Sequence, residues 1–404
     1  MISWSEAGQE HSAQWYGGGQ GDGTAPPARV RVADDTLSAD AAYRLACEGT
    51  ALLWRGDFQN ARQLLQALQR RADGRPRKAA GKAAKAGQAD AAGAAPAAAP
   101  AAPAQAFHLQ RQAQGQRARV LSMLLIELAG DYAIALRRAP DWRAACAEAW
   151  GPAPGQPQLV PLRQLLGVVG AHEWRKKGVP VPALGAGAQG RIHPHYGVFS
   201  PVRGEYVDLV AQAPLPAGCG LAFDVGTGTG VLAIVLARRG VARVLATDQN
   251  PRALACARDN LARQALAKRV ELLQADLFPP GRAMLAVCNP PWLPARAVTA
   301  LEHAVYDPDS AMLRGFLAGL AEHLAPGGEG WLILSDLAEH LGLRTREELL
   351  GWIAAAGLRV LARHDTRPRH ARAHDAGDAL HAARAAEVTS LWRLGAAGDA
   401  ALAP

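Results

Sequence analysis

Residues 221–230 read Leu-Ala-Phe-Asp224-Val-Gly226-Thr227-Gly228-Thr-Gly230. A short apolar run closes on a turn with glycines at alternate positions, and helical periodicity resumes after it. This is the pattern of a buried strand feeding a helix through a turn that lets the backbone lie close to a ligand. The spacing is Gly-x-Gly-x-Gly, not the Gly-x-Gly-x-x-Gly of dinucleotide-binding turns. Asp224 puts a carboxylate where a cationic ligand group can lie and where a pyrophosphate would be repelled.

Working outward, apolar runs recur at 243–248, 270–276, 284–289, 331–336, 358–366 and 387–394. Between them lie helical patterns: about 229–239, a helix opened by Asn250-Pro251, 309–324, and 346–356. The last is framed by a Thr345/Glu348 capping box and stopped by Gly357. Strands alternating with helices predict βαβ units and a doubly wound α/β sheet with mostly parallel strands.

Two further acids end successive strands. Asp248 closes the second, where a carboxylate accepts hydrogen bonds from both hydroxyls of a ribose. Asp276 closes the third, where it takes an adenine amine while Leu277 or Phe278 packs on the ring. A ligand with a ribose, an adenine and a cationic group is S-adenosylmethionine. The fourth strand ends in Asn289-Pro290-Pro291-Trp292. The Asn289 side-chain oxygen and the Pro290 carbonyl are two acceptors suited to a planar –NH2 group, with Trp292 stacking on the flat acceptor. A nitrogen with a delocalised lone pair needs such positioning close to the methyl donor.

Together these motifs resemble the class I S-adenosylmethionine-dependent methyltransferases, and within them the small-methyltransferase-domain family that includes the release-factor glutamine methyltransferases. The resemblance covers about residues 193–394. It implies a seven-stranded Rossmann-like sheet whose last strand, 387–394, runs antiparallel. It also implies that Tyr196-Gly-Val-Phe199-Ser-Pro201 covers the methionine end of the cofactor. Two departures bear on the acceptor: Trp292 stands where the glutamine enzymes usually have Tyr, and the acidic pair after the upstream Pro is reduced to Glu205. The cofactor-binding set is then Asp224, Gly226, Thr227, Gly228, Gly230, Asp248, Asp276, Leu277, Phe199 and Asn289. Asn289, Pro290 and Trp292 form the catalytic set.

The rest of the chain bounds this reading. Of 404 residues 49% are hydrophobic, enough for a sizeable core, and the formal charge is +8. Residues 70–85 hold seven Arg and Lys against Asp73 alone, so the remainder is close to balance. Residues 1–35 are expected to be disordered, 36–73 to be a helical segment, 74–105 a flexible basic Ala/Pro linker, and 106–192 a helical region. The methyltransferase domain is expected over 193–396, preceded by this mainly helical N-terminal part. Five scattered cysteines without CxxC spacing read as reduced thiols. No leader pattern opens the chain and no apolar run is long enough to span a membrane, so a cytoplasmic protein is expected.

The stretch Arg367-Pro-Arg369-His370-Ala-Arg372-Ala-His374-Asp375 should overhang the site and could grip acidic groups. His370, His374, Asp375 and Asp378 lack a convincing ligand spacing, so no metal is predicted. His193 and His195 are read as packing or hydrogen-bonding residues near the cofactor. The acceptor of first choice is a protein glutamine amide, with an RNA or DNA exocyclic amine as alternative. A non-catalytic cofactor-binding subunit is the third reading, and the oligomeric state is open.

Overall fold

Ile2 and Trp4, then Ala13 and Trp15, alternate with polar neighbours and pair as an antiparallel hairpin of β1 (Ile2–Glu6) and β2 (Gln9–Trp15). Ala7 and Gly8 turn between them at positive φ, as two-residue hairpin loops require. The computed structural model describes residues 1–16, 25–86, 102–297, 300–369 and 377–399. It divides into two units, Met1–His172 and Glu173–Pro404.

The first unit continues with β3 (Arg29–Ala33), α1 (Ala39–Cys47), β4 (Thr50–Trp54), α2 (Phe58–Ala86), α3 (Pro103–Leu121), β5 (Leu124–Leu128), α4 (Arg143–Trp150) and β6 (Gln158–Pro161). Its six-stranded sheet runs β1-β2-β6-β5-β4-β3. Strands β3, β4 and β5 are parallel neighbours joined by helical crossovers. One face buries Leu52, Trp54, Phe58, Leu65, Leu124 and Ile126, and the other Ile2, Trp4, Leu53, Leu125 and Leu159. At the carboxyl ends of the parallel strands, Arg55 pairs with Glu6 at 2.8 Å and Glu127 at 2.6 Å. The buried Asp57 takes Arg137 and Arg138 on Oδ2 at 2.9 and 2.6 Å, and the Gln59 N–H on Oδ1.

These elements correct four expectations. The first 35 residues contain three strands, so those described are ordered by pairing. The segments 36–73 and 106–192 are mixed, because Thr-Ala-Leu-Leu-Trp, Leu-Leu-Ile-Glu-Leu and Gln-Leu-Val-Pro are buried strands. Apolar runs this short fit a buried strand or a helix equally until partners are known. The N-terminal part is therefore an α/β unit, not a mainly helical one. The supposed linker is partly helix, since α2 runs on to Ala86 and α3 begins at Pro103. Alanine, arginine and lysine are strong helix formers, and extending an existing helix is cheap, which here outweighs Gly74 and Pro76. Residues 87–101 of that stretch lie outside the described ones.

Helix α5 (Leu162–Lys177) precedes a small antiparallel pair, β7 (Val179–Pro180) and β8 (Arg191–Ile192), so the second unit starts earlier than residue 193. It then builds α6 (Glu205–Gln212), β9 (Leu221–Val225), α7 (Val231–Arg238), β10 (Arg243–Asp248), α8 (Pro251–Arg263), β11 (Val270–Gln274) and β12 (Ala283–Cys288). After these come α9 (Ala311–His323), β13 (Leu324–Ser335), α10 (Leu337–His340), α11 (Arg346–Ala355), β14 (Leu358–Thr366), α12 (His381–Ala386) and β15 (Thr389–Ala396). The seven strands lie in the order β11-β10-β9-β12-β13-β15-β14. All neighbours are parallel except those of β15. This is the expected doubly wound, Rossmann-like seven-stranded sheet with an antiparallel last strand.

Local signals behave as read. Asn250 accepts the Arg252 N–H and caps α8, Thr345 and Glu348 close a capping box, and Gly357 ends α11 at φ +68°. Strand alternation divides the core. Ala222, Leu285, Val287, Trp331, Ile333 and Leu391 face α6 and α7. Phe223, Ala286, Cys288, Leu332 and Leu334 face α9 and α11. Among the described residues no helix is long and apolar enough to cross a membrane, and no His, Cys, Asp and Glu side chains cluster as a metal site would need.

Candidate active site

The glycine turn between β9 and α7 is tied to the end of β10 and to itself. The Gly226 and Thr227 N–H groups donate to the Thr247 carbonyl, at 3.0 and 2.8 Å. Gly228 N–H donates to Asp248 Oδ2 at 3.0 Å and Gly230 N–H to the Thr227 carbonyl at 2.8 Å. Gly226, Gly228 and Gly230 all have positive φ, which side chains with a Cβ adopt only at a cost. A Cβ on Gly230 would come within 3.2 Å of Ala257, whereas one on Gly228 would meet nothing within 4 Å. The turn thus packs closely on α8 at Gly230 and faces open space at Gly228. A phosphate cradle offers free N–H groups to its anion. These four are already committed.

Asp224 is 1% exposed. Its Oδ2 accepts the Thr227 hydroxyl at 2.6 Å and the Ala233 N–H at 3.0 Å. Burial pushes its carboxyl up to about 6, and the nearby Asp248 charge adds to this. Asp248 is raised as well, again by burial. Its two oxygens take the Gly228 and Asn250 N–H groups, which leaves spare lone pairs on both for hydroxyl donors. Asp276 is exposed and accepts from the Gln249 side-chain amide. Burial and like charge are the two influences that keep carboxyl groups near neutrality, and they concentrate at functional sites.

Leu277 and Phe278 both pack against α9, Leu277 at Gly315 and Phe278 at Gly319. Phe278 stacks on His323 at 4.3 Å and on Phe316 at 5.4 Å, above Gly319. Leu277, at φ +68°, has its carbonyl held by the Thr247 hydroxyl and remains beside Asp276. Phe199 is half-buried in the segment that leads into α6. His193 and His195 bond to α8 and α5 neighbours. His193 Nδ1 contacts the Arg175 carbonyl, and His195 Nε2 lies 2.8 Å from Asp259 Oδ2, which also takes Arg175. Arg367 and Arg369 lie in the segment after β14, whereas His370, Arg372, His374 and Asp375 fall outside the described residues.

Asn289 follows β12 on the same sheet face as Asp224. Its Oδ1 accepts the Trp292 indole N–H at 2.9 Å, so one lone pair of that oxygen remains. Trp292 thereby turns its edge to Asn289 and packs partly against both cores. Pro290 is buried. Three further residues were not singled out in the sequence. Asp307 carries the start of α9 through the Met312 and Leu313 N–H groups. Glu387 and Ser335 pair at the end of β13. A lone acid before a strand carries no spacing that would mark it.

Residues 189–346 match the family model described as "Methyltransferase small domain". The release factor glutamine methyltransferase of Cereibacter sphaeroides is 34% identical over 161 residues, covering 36% of this chain and 55% of that protein. The protein of the same name from Gloeobacter violaceus is 29% identical over 226 residues, covering 52% and 71%. A ribosomal protein L11 methyltransferase of Pelotomaculum thermopropionicum is 34% identical over 143 residues, covering 34% and 43%. The chain spans about half the length of the first of these relatives.

Proposed function

Because residues 189–346 match the methyltransferase small domain, we propose that this chain is an S-adenosylmethionine-dependent methyltransferase acting on a planar nitrogen, the side-chain amide of a protein glutamine. The observation that carries the cofactor reading is the commitment of four N–H groups of the Gly226–Gly230 turn, those of Gly226, Thr227, Gly228 and Gly230. Their commitment within the protein leaves an anionic ligand few donors there, while Asp224 and Asp248 make the surroundings favourable to a cation. The open side of Gly228 gives a ligand room against the backbone, and Asp248 keeps acceptor capacity for ribose hydroxyls. The residues present therefore fit the cofactor.

When bound, S-adenosylmethionine supplies a methyl group on a sulfonium. Asn289 Oδ1 and the Pro290 carbonyl take the two amide hydrogens of the acceptor and leave its nitrogen facing the donor. Trp292 fixes the Asn289 carboxamide with its indole N–H, so the oxygen is oriented before the acceptor arrives. Holding the nitrogen at about 3–3.5 Å in a near-attack pose removes much of the entropic barrier. The lean to a protein amide is supported by the names of the relatives.

The test is transfer of labelled methyl from S-adenosylmethionine into a cell lysate, followed by separation of protein and RNA. Label in a protein that is lost with Asn289→Ala, while S-adenosylhomocysteine binding persists, supports the reading. Label in RNA moves the acceptor to a base amine. Label in neither overturns enzymatic transfer.

A further inference from the structure

One buried acid at the crest of the second sheet has no part in the reaction so far described. The Glu387 side chain is 0% exposed. Its Oε1 accepts the Ser335 hydroxyl at 2.7 Å and a single Arg203 nitrogen, Nη1, at 3.4 Å. Its Oε2 is buried and, among the described residues, has no hydrogen-bond partner. Leaving an oxygen of a buried carboxylate unsatisfied is costly, and such an atom calls for an explanation.

The position gives one. Ser335 ends β13, and alternation places it on the face of Trp331 and Ile333, which is also that of Asp224 and Asn289. Asp224 registers with Val287, and Val287 with Trp331. Asp224, Asn289 and Ser335 therefore climb outward by two residues per strand, a stagger of about 6–7 Å at each step. Arg203 reaches this crest through Glu387. It ends the segment that begins at Phe199 and leads into α6, whose Tyr206, Val207 and Val210 pack into the same core. The start of α6 is clipped again further on, where the Arg369 N–H donates to Glu205 Oε1 and Arg369 Nη1 lies 3.7 Å from Asp208 Oδ2. Arg203 is 30% exposed and is the less firmly held end. A guanidinium presents two parallel N–H donors to a carboxylate, and here only one long contact is made.

We propose that Glu387 is a positioning residue for the cofactor site, acting through Arg203: its free Oε2 is the second anchor for the Arg203 guanidinium, and the resulting two-point pair fixes Phe199 over the bound cofactor. The inference rests on the methyltransferase reading, since Phe199 is one of the residues assigned to the cofactor. Lysine at 203 keeps the charge but cannot bridge both oxygens.

The experiment is a double-mutant cycle on the full chain with Glu387→Gln, Arg203→Lys and their combination, reading S-adenosylhomocysteine affinity by calorimetry and melting by circular dichroism. Each single change should weaken binding about tenfold, and the double change no more than either, because the two residues act as one device. Arg203→Lys sits at a partly exposed position and keeps its charge, so it reports even if Glu387→Gln folds poorly. Effects that multiply to about a hundredfold overturn the coupling. So does unchanged affinity alongside lowered melting, the mark of a purely structural pair. A wild-type chain that fails to bind S-adenosylhomocysteine removes the methyltransferase reading and this proposal with it. Binding by the wild type that both single variants match removes the proposal alone.

Discussion

Replacing Asp224 by Asn should make the protein more stable and bind its cofactor less well. The side chain is 1% exposed, and burial pushes its carboxyl from 3.8 up to about 6. An acid raised in the folded state binds more protons folded than unfolded between those two values. Stability therefore falls as pH rises from about 4 to about 6 and stays at the lower level above that. A shift of about two pKa units corresponds to roughly 3 kcal/mol as an upper bound. Both donors, the Thr227 hydroxyl and the Ala233 N–H, meet the same oxygen, Oδ2. The single carboxamide oxygen of Asn can serve both, so the substitution removes the buried charge and keeps the turn. The expected gain is about 1–3 kcal/mol at pH 7.5, or a few degrees in melting temperature per kcal/mol for a unit of this size. No gain is expected at pH 4, where the native carboxyl is already protonated. Urea unfolding at the two pH values, followed by circular dichroism, measures this. S-adenosylhomocysteine calorimetry should show binding weakened at least about tenfold, the usual scale for losing a charged contact. Destabilisation at pH 7.5, or the same gain at both pH values, would refute the electrostatic account. Undiminished binding would refute the assignment of Asp224 to the cationic group.

Two further outcomes follow from the same site. Gly228→Ala meets no neighbour, so it should cost only the roughly 1–2 kcal/mol of a left-handed residue, yet abolish measurable S-adenosylhomocysteine binding. Gly357→Ala, with similar φ and equal space at the end of α11, is the control that loses stability alone. Trp292→Phe removes the donor that orients Asn289. It should cut transfer about tenfold with S-adenosylhomocysteine affinity unchanged, an effect the size of one lost hydrogen bond, and an affinity loss of equal size would argue that Trp292 serves the cofactor instead.

The second unit was legible because its signals are local. The Asp224–Gly230 turn, the Asn250-Pro251 start of α8 and the Thr345/Glu348 box each fit within a few residues and mean the same thing in any context. The first unit was not, for a physical reason. Thr50–Trp54 is buried on both faces, so it shows no alternation, and its length is compatible with a helix turn as well as a strand. The Ile2/Trp4 and Ala13/Trp15 alternation was present but brief and embedded in polar residues. Within the site, Asp224, Asp248 and Asn289 could be placed from strand ends alone. What the neighbours do with their side chains could not. Phe278 prefers α9, 38 residues on, and Glu387 meets Ser335 across 52 residues. Such choices depend on packing between distant segments, which no spacing along the chain encodes.

The paired arginines on Asp57 in the first unit have an evolutionary consequence. Two guanidiniums share one carboxylate oxygen there, Arg138 at 2.6 Å and Arg137 at 2.9 Å, and Arg138 does more to hold the carboxyl down, so Arg137 can drift while Arg138 still neutralises the buried acid. Single substitutions at 137 should then look almost silent in a mutational scan and become costly once 138 has changed as well. Asp57 itself has no such understudy. The unit thus combines one intolerant position with an unequal pair behind it, a pattern of epistasis that a catalogue of single mutants would miss.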